Sequence, residues 1–426
     1  MANLIDIRSV TQLSNAKFPE YVQQSHSKLH NVIWRTPLQN IYVVKKPWNY
    51  HVRDAMVQFI DHIHHHYPAV NVIVNEDVAD ELVHEFSSGG CNDLDKSTKH
   101  ILYTGKFGDI VDKTDLVVTL GGDGTILRAV STFSNVTVPP VLSFALGTLG
   151  FLLPFDFKKA SDTFRMVYES RAKALHRNRL ECHVVRKNTS SEDEFTPASS
   201  SSSSASNIRR FQLDHYKHQG QVATMVHAMN DISLHRGSQP NLTSLDIYID
   251  NEFLTTTTAD GIVFSTPTGS TAYSLSAGGS ITHPLVPCIL LTPICPRSLS
   301  FRPLILPSTC HIMIRLSELN RNSSIELTID GIPQRDLLPG DSIHVVSEKG
   351  TIYVPGQHEP PTTLSRRLDV LEGNSVPETE EEDTNTANTN SKGIWCIARS
   401  EHDWTKDINE LLGFNSSFQG KKQYHM

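Results

Sequence analysis

Two glycine-containing segments, about 140 residues apart, carry the residues best suited to chemistry. The first, Leu120-Gly121-Gly122-Asp123-Gly124-Thr125, follows a strand-like run and precedes a stretch with helical spacing. Glycines at such a turn leave backbone N–H groups open to a phosphate, and the helix N-terminus adds positive potential. A carboxylate in the turn, Asp123, favours a general base or a magnesium-side group. The alternative is a tight turn whose aspartate caps the following helix.

The second segment is a hydroxyl-rich loop within residues 260–276. It contains Thr266-Pro-Thr-Gly-Ser-Thr-Ala-Tyr-Ser-Leu-Ser276 after a strand-like run. So many hydroxyls beside glycine predict a loop that makes many short hydrogen bonds. It lacks the Gly-Lys-Ser/Thr ending of a Walker A loop and the Gly-x-Ser-x-Gly elbow of the α/β hydrolases. The alternative is a hydroxyl-rich crossover between strands.

Together with Asn230-Asp231, these segments resemble the three motifs of the NAD kinases and stand in the family's order. Those enzymes transfer a phosphate from ATP to the 2′-hydroxyl on the adenosine ribose of NAD or NADH. The likeness runs from about residue 37 to 356 and resumes near 393. Within the family the chain is most similar to the fungal mitochondrial branch that uses NADH, through residues 37–48, 293–303 and 410–418.

The resemblance implies a role for each matching residue. Asp123 is the implied general base, accepting the proton of the ribose hydroxyl as its oxygen attacks the γ-phosphate. Asp231 stands where many members have glutamate, and Thr258 falls where some bacterial members carry arginine, so Thr258 cannot supply that charge. The implied nucleotide- and dinucleotide-binding residues are Gly122, Gly124, Asn230, Asp231, Asp260, Thr271, Ala272, Tyr273 and Ser276.

The resemblance also implies ligands, assembly and location. Mg²⁺ is expected to accompany ATP, no residue is assigned as a metal ligand, and NAD or NADH is a substrate rather than a cofactor. A homo-oligomer of two or four copies is expected. The mitochondrial matrix is the expected location, with the cytosol as the alternative, because residues 1–31 are less basic than a transit peptide.

Two other functions remain open. Lipid kinases of the diacylglycerol type share the Gly-Gly-Asp-Gly loop, but they do not predict the segment 258–279. A catalytically silent dinucleotide-binding regulator is expected to have lost the carboxylate at position 123, which this chain retains.

The amino-acid composition indicates which classes of partner and which redox compartment to expect. A formal charge of −8 with dispersed basic residues predicts neither nucleic acid nor an anionic membrane as a partner. No stretch approaches 18 apolar residues, which predicts no membrane-spanning helix. The six cysteines contain no Cys-x-x-Cys pair, which favours a reducing compartment. Four histidines between His62 and His66 are interpreted as a helix C-terminus rather than a metal site.

The elements needed to position these residues differ along the chain. Before about residue 180, apolar strand-like runs alternate with amphipathic helices, which predicts an α/β domain with a Rossmann-like parallel sheet and the phosphate loop at a strand's carboxyl end. The predicted strands there are 40–44, 70–74, 115–120 and 141–144, and the predicted helices are 53–65 and 78–86.

After Ala228, short strands separated by turn residues predict an all-β, β-sandwich-like domain. These strands are 244–249, 262–265, 311–316, 324–329, 342–346 and 351–354. A site between the two domains is expected because Asp123 comes from the first and residues 230–276 from the second.

The sequence predicts five regions. They are an N-terminal extension (1–36), the α/β domain (37–180), the β-rich domain (181–356) with a disordered insertion (188–221), an acidic linker (357–392) and a segment that returns to the first domain (393–426).

Overall fold

The computed structural model describes residues 5–88, 100–147, 149–187, 226–318, 320–350, 352 and 392–413, which form two compact units. The first unit contains the described residues of 1–133, 138–176 and 394–426, and the second contains those of 134–137 and 177–393. The predicted insertion 188–221 and all of the predicted linker except Lys392 lie outside the described residues. Of the predicted strand 351–354, only Ile352 is described.

The first unit is built on one eleven-stranded, mostly parallel sheet. The strand order is β1-β6-β5-β4-β7-β8-β23-β10-β3-β2, with β9 beside β8, and antiparallel pairing is found between β2 and β3 and between β3 and β10. The strands are β1 Ile5–Ser9, β2 Glu20–Gln23, β3 His30–Ile33, β4 Asn40–Lys45, β5 Asn71–Ile73, β6 His100–Thr104, β7 Leu116–Gly121, β8 Val141–Ala145, β9 Phe155–Asp156, β10 Lys173–Arg177 and β23 Ile394–Ala398.

The helices of this unit bury one apolar face against the sheet. In the longest, Asn49 accepts a hydrogen bond from the Val52 N–H (3.2 Å) and so caps the first turn, while Met56 and Phe59 lie in the core. None of the described helices is both long enough and apolar enough to span a bilayer. They are α1 Tyr50–His66, α2 Glu76–Ser88, α3 Phe107–Lys113, α4 Asp123–Ser131, α5 Ala160–Tyr168 and, near the end of the chain, α7 Asp403–Leu412.

The second unit consists of two six-stranded antiparallel sheets that share one apolar core. One sheet has the order β12-β11-β22-β19-β14-β15, and the other has the order β18-β17-β16-β13-β20-β21. The strands are β11 Leu180–Val185, β12 His227–Ala228, β13 Asp231–His235, β14 Thr243–Ile249, β15 Glu252–Ala259, β16 Gly261–Ser265, β17 Cys288–Ile294, β18 Leu304–Pro307, β19 Ile312–Leu316, β20 Glu326–Ile329, β21 Ile332–Pro333 and β22 Ser342–Ser347.

The predicted fold class is confirmed in both units. The first is α/β with a largely parallel sheet, and the second is all-β and β-sandwich-like. Side chains from both sheets of the second unit, such as Ile343 and Phe264, are fully buried in the shared core. Alternation of inward apolar residues along such strands is what the sequence pattern detects.

A buried ion pair ties the second unit together. Arg179 donates from Nη2 to Glu348 Oε1 (2.7 Å) and from Nε to Oε2 (3.0 Å), and the side chains are 3% and 8% exposed. Arg179 also donates to the Ser134 carbonyl (3.3 Å), and Glu348 accepts the Gly393 N–H (2.8 Å). Burial acts to raise the pKa of Glu348, but Arg179, with smaller contributions from His227 and the Gly393 N–H, holds the pKa below its ordinary value. The pair therefore fixes points where the chain enters and leaves this unit.

Replacing Arg179 with methionine should lower the free energy of unfolding by about 3–5 kcal/mol, because it strands a buried carboxylate without its cation. The matched control is Lys187→Met, which removes an ion pair to Glu318 whose side chains are both at least half exposed. This control should leave the midpoint of chemical denaturation nearly unchanged. Equal shifts in the two variants would contradict the stabilising role given to the buried pair.

Candidate functional site

The Gly-Gly-Asp-Gly segment forms a turn between β7 and α4 in the first unit. Gly121 has a φ of +152°, and a Cβ there would lie 2.4 Å from the Thr125 hydroxyl oxygen, so this position accepts only glycine. By contrast, a Cβ at Gly122 or Gly124 would meet no atom of the described residues within 4 Å. The turn is therefore closed on one side and open on the side where a ligand could approach its backbone.

Asp123 is the first residue of α4, and its carboxylate lies at the positive end of that helix. The N-cap position is held by Gly122, so the alternative of a capping aspartate is not what the structure shows. A Cβ at Gly150 would lie 2.6 Å from Asp123 Oδ1, so the carboxylate packs directly against that glycine. A half-buried carboxylate beside a turn that is open on one side is suited to accepting a proton.

The hydroxyl-rich loop of the second unit divides into an inner and an outer set. Inner hydroxyls bond within the protein: Ser270 Oγ accepts the Thr282 N–H (2.7 Å), and the Ser274 hydroxyl lies 2.9 Å from that of Thr292. The loop folds as a 3₁₀ turn, 268–271, followed by α6, Tyr273–Ser276. The outer set is partly or fully exposed and comprises the predicted binding residues Thr271, Ala272, Tyr273 and Ser276.

The Asn230-Asp231 pair lies directly against this loop. The Thr266 N–H donates to the Asn230 carbonyl (2.9 Å), and a Cβ at Gly269 would lie only 2.2 Å from that oxygen. Asn230 is 7% exposed, and its side-chain oxygen is buried with no hydrogen-bond partner among the described residues. Buried polar atoms are normally paired, so this acceptor is a candidate for a ligand's donor.

Asp330, which the sequence analysis did not single out, lies beside the same pair. Burial, with the charge of Asp330 second, raises the pKa of Asp231 to about 7. Burial likewise raises the pKa of Asp330 to about 6, although three backbone N–H donors oppose the rise. The signal in the sequence was the Asp330-Gly331 dipeptide between two isoleucines, which is typical of a two-residue hairpin turn.

The remaining predicted residue of this unit, Asp260, is engaged by a cation. Arg236 Nε lies 2.5 Å from Asp260 Oδ1, so this oxygen is paired with the guanidinium. Burial raises the pKa of Tyr273, with further contributions from Asp231, Cys295 and Asp260. Tyr273, Asp231 and Asp260 are thus close enough to interact electrostatically. Gly122, Asp123 and Gly124 belong to the first unit, and the other predicted site residues belong to the second.

Family models and individual proteins match this chain. The ATP-NAD kinase N-terminal domain matches residues 42–172, and the ATP-NAD kinase C-terminal domain matches residues 229–354. The mitochondrial NADH kinase of Saccharomyces cerevisiae is 51% identical over 426 residues, covering 99% of this chain and 92% of that protein. The mitochondrial NADH kinase of Schizosaccharomyces pombe is 34% identical over 426 residues, covering 97% and 87%. The crystal structure of yeast NADH kinase complexed with NADH superimposes with a TM-score of 0.77 at 49% identity, covering 99% of each chain.

The raised pKa of Asp231 makes stability depend on pH. Since the folded pKa of about 7 lies above the ordinary value of 3.8, the stabilisation is present at low pH and is lost as pH rises through 7. Asparagine does not ionise, so Asp231→Asn removes the part of the stability loss at rising pH that comes from residue 231. The variant's thermal midpoint, relative to the unsubstituted chain, should therefore be higher at pH 8 than at pH 5.5, by the equivalent of roughly 2 kcal/mol. A difference that is the same at both pH values would contradict the raised pKa.

Proposed function

The chain belongs to the NAD kinase family, and on that premise we propose that it transfers the γ-phosphate of ATP to the 2′-hydroxyl on the adenosine ribose of NADH or NAD, forming NADPH or NADP. The observation that carries the chemistry is Asp123 at the start of α4, between two glycines whose Cα positions face open space. The likeness to the yeast mitochondrial NADH kinase over almost the whole chain supports NADH as the preferred acceptor.

In the proposed reaction, Asp123 accepts the proton of the 2′-hydroxyl while that oxygen forms its bond to the γ-phosphorus. The bond from phosphorus to the bridging oxygen breaks, and ADP leaves with its electron pair. Because phosphoryl transfer depends mainly on positioning and charge neutralisation, no covalent enzyme intermediate is required. Backbone N–H groups at the start of α4 are positioned to stabilise the negative charge of a bound phosphate.

Mg²⁺ is proposed to enter with ATP. This ion is usually held by substrate phosphates, water and one or two carboxylates, and no residue of the chain is assigned to it as a ligand. When bound, the ion would neutralise the charge that develops on the phosphates. The open side of the turn at Gly122 and Gly124 fits the approach of such a complex.

The second unit is proposed to bind the dinucleotide. Asn230 supplies a buried side-chain oxygen for a ligand donor, and Asp231 can accept or donate near neutral pH because its pKa is about 7. Asp260, paired with Arg236, contributes electrostatically to the raised pKa of Tyr273 in the hydroxyl-rich loop. That face contributes Thr271, Ala272, Tyr273 and Ser276.

The relatives support a location for this chain, and the family resemblance supports a proposed assembly. Both yeast relatives are named as mitochondrial, which supports the mitochondrial matrix as the location of this chain. Assembly into a homo-oligomer of two or four copies rests on the family resemblance.

The activity is tested by a coupled assay of the purified full-length chain with ATP and Mg²⁺. Initial rates are measured with NADH and with NAD at equal concentrations, and diacylglycerol serves as the control acceptor. We expect NADPH to form faster than NADP. The reverse order would retain the kinase and overturn the preference for NADH, whereas phosphorylation of neither dinucleotide would overturn the proposed function.

Replacing Asp123 with asparagine should lower kcat about 10²- to 10⁴-fold, because the amide cannot accept the hydroxyl proton. NADH binding, followed by the fluorescence of the bound dinucleotide, should stay within about twofold. The matched control is Asp109→Asn, which removes another carboxylate from the first turn of a helix, α3. Near-normal turnover in Asp123→Asn would rule out the role as general base.

A further inference from the structure

We propose that Asp330 is a positioning residue for the dinucleotide, which fixes the main chain of Met229, Asn230 and Asp231 and so presents the side chains of the last two. The inference rests on the proposed function, because it assigns those side chains to NADH or NAD. Asp330 itself makes its contacts to the protein, and its carboxylate reaches the segment from the hairpin between β20 and β21.

One carboxylate binds three consecutive N–H groups. Met229 N donates to Asp330 Oδ2 (2.8 Å), while Asn230 N (2.7 Å) and Asp231 N (3.1 Å) donate to Oδ1. Hydrogen bonds to a charged acceptor are stronger than those between neutral groups, and Asp330 is only 8% exposed. The three bonds fix the direction of three successive peptide planes.

The carbonyl groups of the same segment are also all bonded. Thr266 Oγ1 donates to the Met229 carbonyl (2.6 Å), and Thr266 N donates to the Asn230 carbonyl (2.9 Å). The Asp330 N–H donates to the Asp231 carbonyl (2.9 Å). Two residues, Asp330 and Thr266, thus serve all six polar main-chain groups of the segment. The side-chain oxygen of Asn230, with no partner among the described residues, is left for a ligand.

The turn that carries Asp330 is itself tightly specified. Asp330 and Gly331 have φ values of +50° and +73°, as a two-residue type I′ turn requires, and Ile329 pairs with Ile332 across the turn. On its other side, β20 pairs with β13, with Ile329 opposite Ile232. The hairpin therefore lies beside the strand that begins at Asp231, at a fixed register.

Asp330 also acts on Asp231 through its charge. Two buried carboxylates that lie close together disfavour each other's ionisation. The charge of Asp330 is accordingly the second cause of the raised pKa of Asp231, and burial is the larger one. The charge of Asp231 in turn contributes to the raised pKa of Tyr273, and Arg179 acts to lower the pKa of Asp330. Neutralising Asp330 should therefore make Asp231 ionise at a lower pH.

The test is Asp330→Asn in the full-length chain. The asparagine side chain has one neutral oxygen acceptor, and its NH₂ group is itself a donor, so it cannot accept all three N–H groups as the carboxylate does. We expect the Kd for NADH and the KM for NADH to rise roughly 10- to 100-fold, with the KM for ATP changed less than about twofold. Because neutralising Asp330 lowers the pKa of Asp231, a pH-dependent change in NADH affinity that depends on Asp231 should occur at lower pH in the variant than in the unsubstituted chain.

The matched control is Asp115→Asn in the first unit. Asp115 also accepts three backbone N–H groups, from Lys17 (2.7 Å), Gln39 (3.0 Å) and Asn40 (2.9 Å), and burial raises its pKa. It stands just before β7, at the end opposite the Gly-Gly-Asp-Gly turn. Its replacement should lower the thermal midpoint without moving NADH affinity or its pH dependence.

A second pair of variants covers the case in which Asp330→Asn does not fold. Thr266→Val removes the hydroxyl that donates to Met229 and should weaken NADH binding about 3- to 10-fold, whereas Thr266→Ser keeps the hydroxyl and should bind nearly as the unsubstituted chain does. NADH affinity unchanged in both Asp330→Asn and Thr266→Val would overturn the inference. Because binding is measured without turnover, a chain that binds NADH but does not phosphorylate it would contradict the proposed function alone.

Discussion

A buried carboxylate bonded to several main-chain N–H groups is the interaction on which the main chain of residues 229–231 in the second unit depends. Burying a charge is costly unless strong hydrogen bonds compensate, and Asp330 is compensated by three donors from Met229 to Asp231. The first unit uses the same arrangement at Asp115, which accepts the N–H groups of residues 17, 39 and 40 beside the first residues of β4 and β7. In each unit, segments distant in sequence are joined by one short side chain.

The local features of the site were readable from sequence because each has a local cause. Buried parallel strands are continuous apolar runs, so β8 was predicted as 141–144 and found as Val141–Ala145. The Gly-Gly-Asp-Gly turn follows from glycine's access to the φ that Gly121 adopts. The strands β1–β3 were not predicted because they are short and largely polar, and they form only by pairing within the large sheet.

Contacts between distant residues were beyond the sequence pattern. Asp330 lies about 100 residues from Asn230, and its Asp-Gly turn signal says nothing about where its carboxylate points. Likewise, the composition of the hydroxyl-rich loop could not show that Ser270 and Ser274 are fully buried while Thr271 and Ser276 are partly or fully exposed. The pKa of Asp231 depends on burial and on a neighbouring charge, and both arise only in the folded chain.

The place of β23 in the first sheet has a consequence for synthesis on the ribosome. This strand, Ile394–Ala398, lies between β8 and β10 and pairs in parallel with β8 through Cys396 and Val141. The sheet therefore stays incomplete until nearly the whole chain has been translated. Every strand described for the second unit ends by Ser347, so these strands can pair while the first unit still lacks an interior strand. Vectorial synthesis, which usually lets the N-terminal domain fold first, here favours the opposite order.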